Sequence, residues 1–202
     1  MDASKIQLSA EEMQLVTNSA WILTKHRVIE KVYRIFGNVS EQMQLYIEKR
    51  QGLLPPQVLL LSPRITKGEQ YEALPYVVLD YPRFFSKEDV FAIRCFFWWG
   101  HYFSITWHLK GKFQQQYQQK IAAAVAAGKF KQFYISTDGS EFSFHLEGKH
   151  YTAPGCKLPG NYNGGEHTGF LKISLKISFE HWKTAEQDLM QGFQRFIAMM
   201  ED

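Results

Sequence analysis

His108, Arg94 and Asp80 are the side chains whose types and spacing could support chemistry. A guanidinium can hold a carboxylate or phosphate through two parallel hydrogen bonds, and an imidazole beside it can move a proton near neutral pH. Arg94 and His108 fall on the two arms of one apolar stretch, Val90 to Leu109 (VFAIRCFFWWGHYFSITWHL), and Asp80 lies in the run before it, LPYVVLDYPRFF. The alternative to catalysis is a structural ion pair of Asp80 with Arg94, because strand-borne pairs of this kind are common without activity.

These groups meet only if residues 90 to 109 form a hairpin. Twenty mostly apolar residues are long enough to span a bilayer as a helix, but Arg94, His101 and His108 interrupt the run, and its aromatic and β-branched composition favours strands. Side chains alternate between the faces of a strand, which groups Phe91, Ile93, Cys95, Phe97 and Trp99 with Phe103, Ile105, Trp107 and Leu109. Odd residues must therefore pair with odd. A two-residue turn at Gly100-His101 would violate that condition. A three-residue loop, Gly100 to Tyr102, pairs Trp99 with Phe103 and keeps it.

In that register Arg94 faces His108, Phe96 faces Thr106 and Trp98 faces Ser104, all on the opposite side from the apolar set. A fixed cation beside the imidazole disfavours the imidazolium and suits an anionic or polar ligand. The candidate ligand-binding residues are Arg83, Arg94, Trp98, Tyr102, Ser104, Thr106 and His108. Phe96, Trp98 and Tyr102 would also stack a sugar, a base or another aromatic ring, unless a helix covers them. The candidate catalytic set is His108 with Arg94 and Asp80, in a small hydrolase or transferase.

Glu147 to Gly169 (EGKHYTAPGCKLPGNYNGGEHTG) is a long polar, glycine-rich segment of the kind that serves as a lid or a mobile connection. It contains the metal-ligand types His150, Cys156, Glu166 and His167, but their spacing fits no zinc pattern, so no metal is expected. Phosphate-binding, dinucleotide-binding, nucleophile-elbow and zincin motifs are absent from the sequence, and no cofactor is expected.

The elements that must position these residues follow from periodicity. Ser9 with Glu12 opens a first helix whose stripe is Leu15, Ile22, Ile29 and Phe36, with a break near Asn18-Ser19 and a stop at Gly37. A second helix runs from Ser40, read as its cap, to Gly52 and turns Met43, Tyr46 and Ile47 inward. Val58 to Leu61 and Tyr76 to Tyr81 read as strands, with residues 63 to 73 as a connection. Phe113, Tyr117, Ile121 and Val125 mark a helix over 113–127, with the glutamines around Tyr117 on its solvated side. Phe130 to Ser136 and Glu141 to Leu146 read as a hairpin turned by Asp138-Gly139. Leu171 to Phe179 alternates cleanly, with Lys172, Ser174 and Lys176 assigned to solvent, and Thr184 with Gln187 caps a last helix over 184–200.

The sum is a single α+β domain: a mainly antiparallel sheet packed on one face by N-terminal, middle and C-terminal helices. At 202 residues, 45% hydrophobic, the chain suits one well-filled core. Its net charge of +3 is too balanced for a nucleic-acid surface. The N-terminus lacks a secretory pattern, so a cytoplasmic protein is expected, without a membrane span and without a disulfide between Cys95 and Cys156.

The stretches LPYVVLDYPRFF and AIRCFFWWGHYFSITWHL resemble uncharacterised conserved bacterial proteins with an aromatic sheet core. The resemblance covers Leu74 to about Lys110 and implies no activity and no site residue. The leading expectation is a protein that binds a small anionic or aromatic ligand on the polar sheet face, beneath the 147–169 segment.

Overall fold

The computed structural model describes residues 6–136, 139–155 and 169–201. Its centre is a six-stranded antiparallel sheet in the order β1-β2-β3-β4-β6-β5. The strands are β1 (Arg64–Tyr71), β2 (Leu74–Phe85), β3 (Val90–Trp98), β4 (Tyr102–Lys110), β5 (Phe133–Ser136) and β6 (Phe170–Ser178). Helices α2 (Ser19–Glu48), α3 (Lys112–Ala126) and α4 (Ala185–Glu201) cover one face, and a short α1 (Ala10–Thr17) precedes them. This is the expected α+β arrangement.

The odd-numbered residues of β3 and β4 build the helix-covered core. Phe97 pairs with Phe103 and Ile93 with Trp107 across the hairpin. Phe36 of α2 meets Phe103 edge to face, Phe113 of α3 meets Phe91, and Phe196 of α4 meets Trp107. Offset and edge contacts of this kind add to what area burial already supplies. Helix α4 approaches closely at Gly192, where an added Cβ would lie 2.6 Å from Ile105 Cγ2. Cys95 belongs to this core, and burial pushes its thiol well above the usual range.

The hairpin keeps the expected parity but shifts by one pair. Trp98 pairs with Tyr102, so the loop is Trp99 to His101, and Arg94 faces Thr106 rather than His108. Likewise Phe96 faces Ser104, and His108 faces Ala92. Gly100, with φ +78°, occupies the centre of that loop rather than its start. Parity alone allows both registers. The one adopted puts the residue that tolerates positive φ at the tip.

Several element boundaries also differ from expectation. Asn18 does break the N-terminal helix, but α2 then continues for 30 residues through Gly37. Burial of Ile35, Phe36, Val39 and Met43 on both sides of Gly37 outweighs the glycine penalty of about 1 kcal/mol. Ser40 donates to the Gly37 carbonyl at 2.8 Å instead of capping a new helix. The Leu15 and Ile22 positions of the expected stripe are exposed, while Ile29 and Phe36 are buried.

Val58 to Leu61 is not a strand. The prolines open a 3-10 turn, Pro56–Val58, which buries Val58 and leaves Leu59, Leu60 and Leu61 exposed. The edge strand comes instead from Arg64–Tyr71, expected to be a connection, and its charged centre suits a sheet edge. Residues 141–146 form no strand either; β5 pairs with β6 and, on its other side, makes an isolated antiparallel bridge from Ile135 to Thr152. Asp138 of the expected turn lies outside the described residues. The last helix follows a 3-10 turn, Phe179–Thr184, in which Thr184 Oγ1 donates to His181 and Asp188 rather than closing a capping box.

Candidate functional site

Strand pairing lays the even-numbered residues of β3 and β4 out in rows on the face away from the helices. One row runs Asp80–Arg94–Thr106–Ser174–Tyr134. Beside it lies Ala92–His108–Lys172–Ser136. On its other side come Val78–Phe96–Ser104–Lys176 and then Tyr76–Trp98–Tyr102–Ser178. The face therefore grades from charged to aromatic along the strands.

Among the described residues, no helix covers this face. Residues 139–155 cross it as an irregular cap, and Phe144, Leu146 and Tyr151 pack onto Val78, Phe96, Trp98 and Tyr102 as a second apolar cluster. Irregular backbone can be buried only if its polar groups find partners. Tyrosine hydroxyls supply them: Tyr71 Oη accepts from Phe144 N–H at 2.6 Å, and Tyr102 Oη accepts from Leu146 N–H at 2.8 Å while donating to the Phe144 carbonyl at 3.0 Å. Tyr151 Oη donates to the Ser143 carbonyl at 2.9 Å. These bonds explain why 141–146 does not pair as a strand. Its backbone is already engaged.

Lys172 fastens the cap from below. Its ammonium donates to the Ser143, Glu141 and Ser140 carbonyls, and it lies 4.8 Å from the Phe144 ring centroid and 5.1 Å from that of Tyr151. The side chain is fully buried. Burial first, then the Arg94 charge, pulls its amine down to about 7, against a smaller opposing pull from Glu141.

Arg94 and Asp80 form a two-pronged ion pair, Nε to Oδ1 at 2.7 Å and Nη2 to Oδ2 at 2.9 Å. The Arg94 guanidinium also faces the Phe144 ring at 4.9 Å. His108 is driven down to about 3 by burial and then by Lys172, Arg94 and Lys110, so its ring is neutral. Glu141 Oε2, 3.8 Å from His108 Nε2, is beyond hydrogen-bond reach, and it is Lys110 that takes this carboxylate, at 2.6 Å. Three buried polar atoms of this face, Trp98 Nε1, Ser104 Oγ and His108 Nε2, have no hydrogen-bond partner among the described residues.

The structure gathers Asp80, Arg94, Thr106, His108, Ser104, Trp98 and Tyr102 on one face, as expected. It separates some of their roles. Arg94 and His108 are diagonal neighbours rather than a facing pair, and Thr106 is tied to Ser174 by a 2.8 Å hydroxyl bond. Arg83 pairs with Ala92 after an irregularity in β2 and donates to the Ser62 carbonyl at 3.1 Å, towards the sheet edge. Of the expected lid over 147–169, residues 147–155 and Gly169 are described, and the cap begins earlier, at 139. Cys156, Glu166 and His167 lie outside the described residues.

Sequence reasoning missed Lys172, Ser174 and Tyr151. Lys172 and Ser174 sat on the alternating side assigned to solvent, yet both are buried. The available signal was parity. Once β6 pairs with β4, its lysines and serines must share a face with Ser104, Thr106 and His108.

Comparison with family models, with curated proteins and with solved structures finds no match for the chain.

Proposed function

We propose that the protein binds a small organic anion with an aromatic body on the polar and aromatic sheet face, beneath the 139–155 cap. The observation that carries this reading is the trio of buried, unpartnered atoms on that face, Trp98 Nε1, Ser104 Oγ and His108 Nε2. Buried polar atoms nearly always have a partner; Trp107 Nε1 and the Gln114 amide also lack one on the helix-covered side, but only the trio shares its face with Arg94 and Lys172, where a ligand's polar atoms would engage it.

Charge supports an anion. Arg94, Lys110 and Lys172 stand against Asp80 and Glu141, which leaves one cation in excess. Geometry supports an elongated ligand. At about 3.3 Å per residue, the Ser104 and His108 rows are about 13 Å apart, room for an acidic head near Lys172 and a ring near Phe96. Phe144 now stacks on Phe96 at 5.3 Å, and a ligand ring would take that place as the cap lifts.

Binding suits these residues better than turnover. A histidine at about 3 is too weak a base for proton abstraction near neutral pH, and Arg94 is held by Asp80. The test is calorimetry with phenylacetate, indole-3-acetate and phenyl phosphate. Dissociation constants below about 1 mM are expected, weakening as pH rises through the Lys172 value of about 7. Lys172→Met should weaken binding at least tenfold. Absence of binding across the panel, or binding indifferent to Lys172→Met, overturns the reading.

A further inference from the structure

The N-terminal arm is rich in apolar side chains, and among the described residues nothing covers them. Ile6, Leu8, Met13, Leu15, Val16, Trp21, Ile22 and Leu23 are each between 39% and 87% exposed, and α1 buries no residue. The anchored part of α2 begins only at Val28 and Ile29. Trp21, Ile22 and Leu23 are consecutive, so they occupy about 200° of the helix circumference. A helix apolar on so many sides belongs inside an assembly.

We propose that this arm, residues 6 to 24, is a self-association surface on which a second copy of the chain docks its own arm about a two-fold axis. Three observations single out a second copy. The exposed apolar residues present on the order of 800 Å² per chain, the amount each partner contributes to a standard stable interface.

The charges are self-complementary. The outer end of the arm carries Glu11 and Glu12, and its root opens on a groove lined by His26, Ile29, Tyr33, Arg34 and Lys67 beside the Lys25–Glu69 pair. The three permanent cations of that groove, Lys25, Arg34 and Lys67, outnumber its two carboxylates, Glu30 and Glu69. An antiparallel, isologous pairing sets each acidic end against the partner's basic root, so one surface satisfies both copies.

A bilayer is the wrong occupant. From Ile6 to Thr24 there is no lysine or arginine to meet anionic headgroups, and the charges present are acidic.

The experiment is sedimentation velocity on the full chain from about 1 to 100 μM, a range that brackets interfaces of this size. A concentration-dependent dimer is expected. The double substitution Val16→Ser with Leu23→Ser should raise its dissociation constant at least tenfold while the thermal melt of the sheet stays in place, because neither residue touches the core. Glu11→Lys with Glu12→Lys should also weaken the dimer, and adding Arg34→Glu with Lys67→Glu should restore it. A monomer at the highest concentration overturns the proposal. So does a dimer untouched by the arm substitutions, or an arm that floats with anionic vesicles instead of pairing.

Discussion

The two faces of the sheet are made from alternate residues of the same strands, yet they are held in different ways. The odd face is sealed by three helices whose backbones satisfy themselves, so the packing there is almost wholly apolar, with Phe36, Phe97, Phe103 and Trp107 essentially inaccessible. The even face is sealed by a segment with little internal hydrogen bonding, which borrows partners from Tyr71, Tyr102 and Lys172. An irregular cover is cheaper to displace than a helix, because its backbone bonds are few, among them the Ile135–Thr152 bridge, and the rest are made to single side chains. Function is therefore sought on the even face.

The largest expected effect tests that contrast. Phe103→Ala should cost about 3–5 kcal/mol in a urea titration, whereas Phe144→Ala should cost visibly less and instead speed hydrogen exchange at the Phe144 and Leu146 amides. Equal global losses would erase the distinction between the faces.

Next is the ion pair. Asp80→Ala strands Arg94, whose side chain is 19% exposed, and should cost about 3 kcal/mol. Asp80→Ala combined with Arg94→Met should recover much of that loss. A double variant no better than the single one would mean that Arg94 is used elsewhere on the face.

On the helical side, Gly192→Ala should cost about 1–3 kcal/mol by driving its Cβ against Ile105. A neutral result would show that α4 sits less tightly than the cap.

The effect that is smallest per step is spread over pH. His108 is lowered from 6.5 to about 3, so between those values the unfolded chain holds a proton that the folded chain does not. The His108 contribution should be full above 6.5 and fall as pH drops towards 3, by at most about 1.4 kcal/mol per pH unit, with His108→Asn flattening the curve. Lys172, lowered from 10.5 to about 7, has the same sign higher up: stability should rise from 7 to 10.5, and Lys172→Met should remove that rise. Chemical-denaturation curves across pH measure both. Loss of stability on raising pH through either window would contradict the burial of that group.

The sheet and its helices were legible where periodicity was strong. Alternation in β3, β4 and β6 and the stripes of α3 and α4 matched the structure to within a residue or two of each end. The strand at 64–71 was not legible, because an edge strand with Lys67, Gly68 and Glu69 at its centre has no buried face to impose a pattern. Of the candidate site, the membership of Asp80, Arg94, Ser104, Thr106 and His108 on one face followed from parity, while Lys172 and the cap did not. A lysine among serines reads as solvated unless something known to lie above it excludes water.

What the amino-acid order decided alone is the sorting of side chains into two faces, since successive residues of an extended chain must point in opposite directions whatever surrounds them. The tertiary structure decided the rest. It chose between two registers of equal parity by centring Gly100 in the turn, carried α2 across Gly37, and laid residues 139–155 over Lys172. The last two depend on partners distant in sequence, and no local pattern records where those partners will lie.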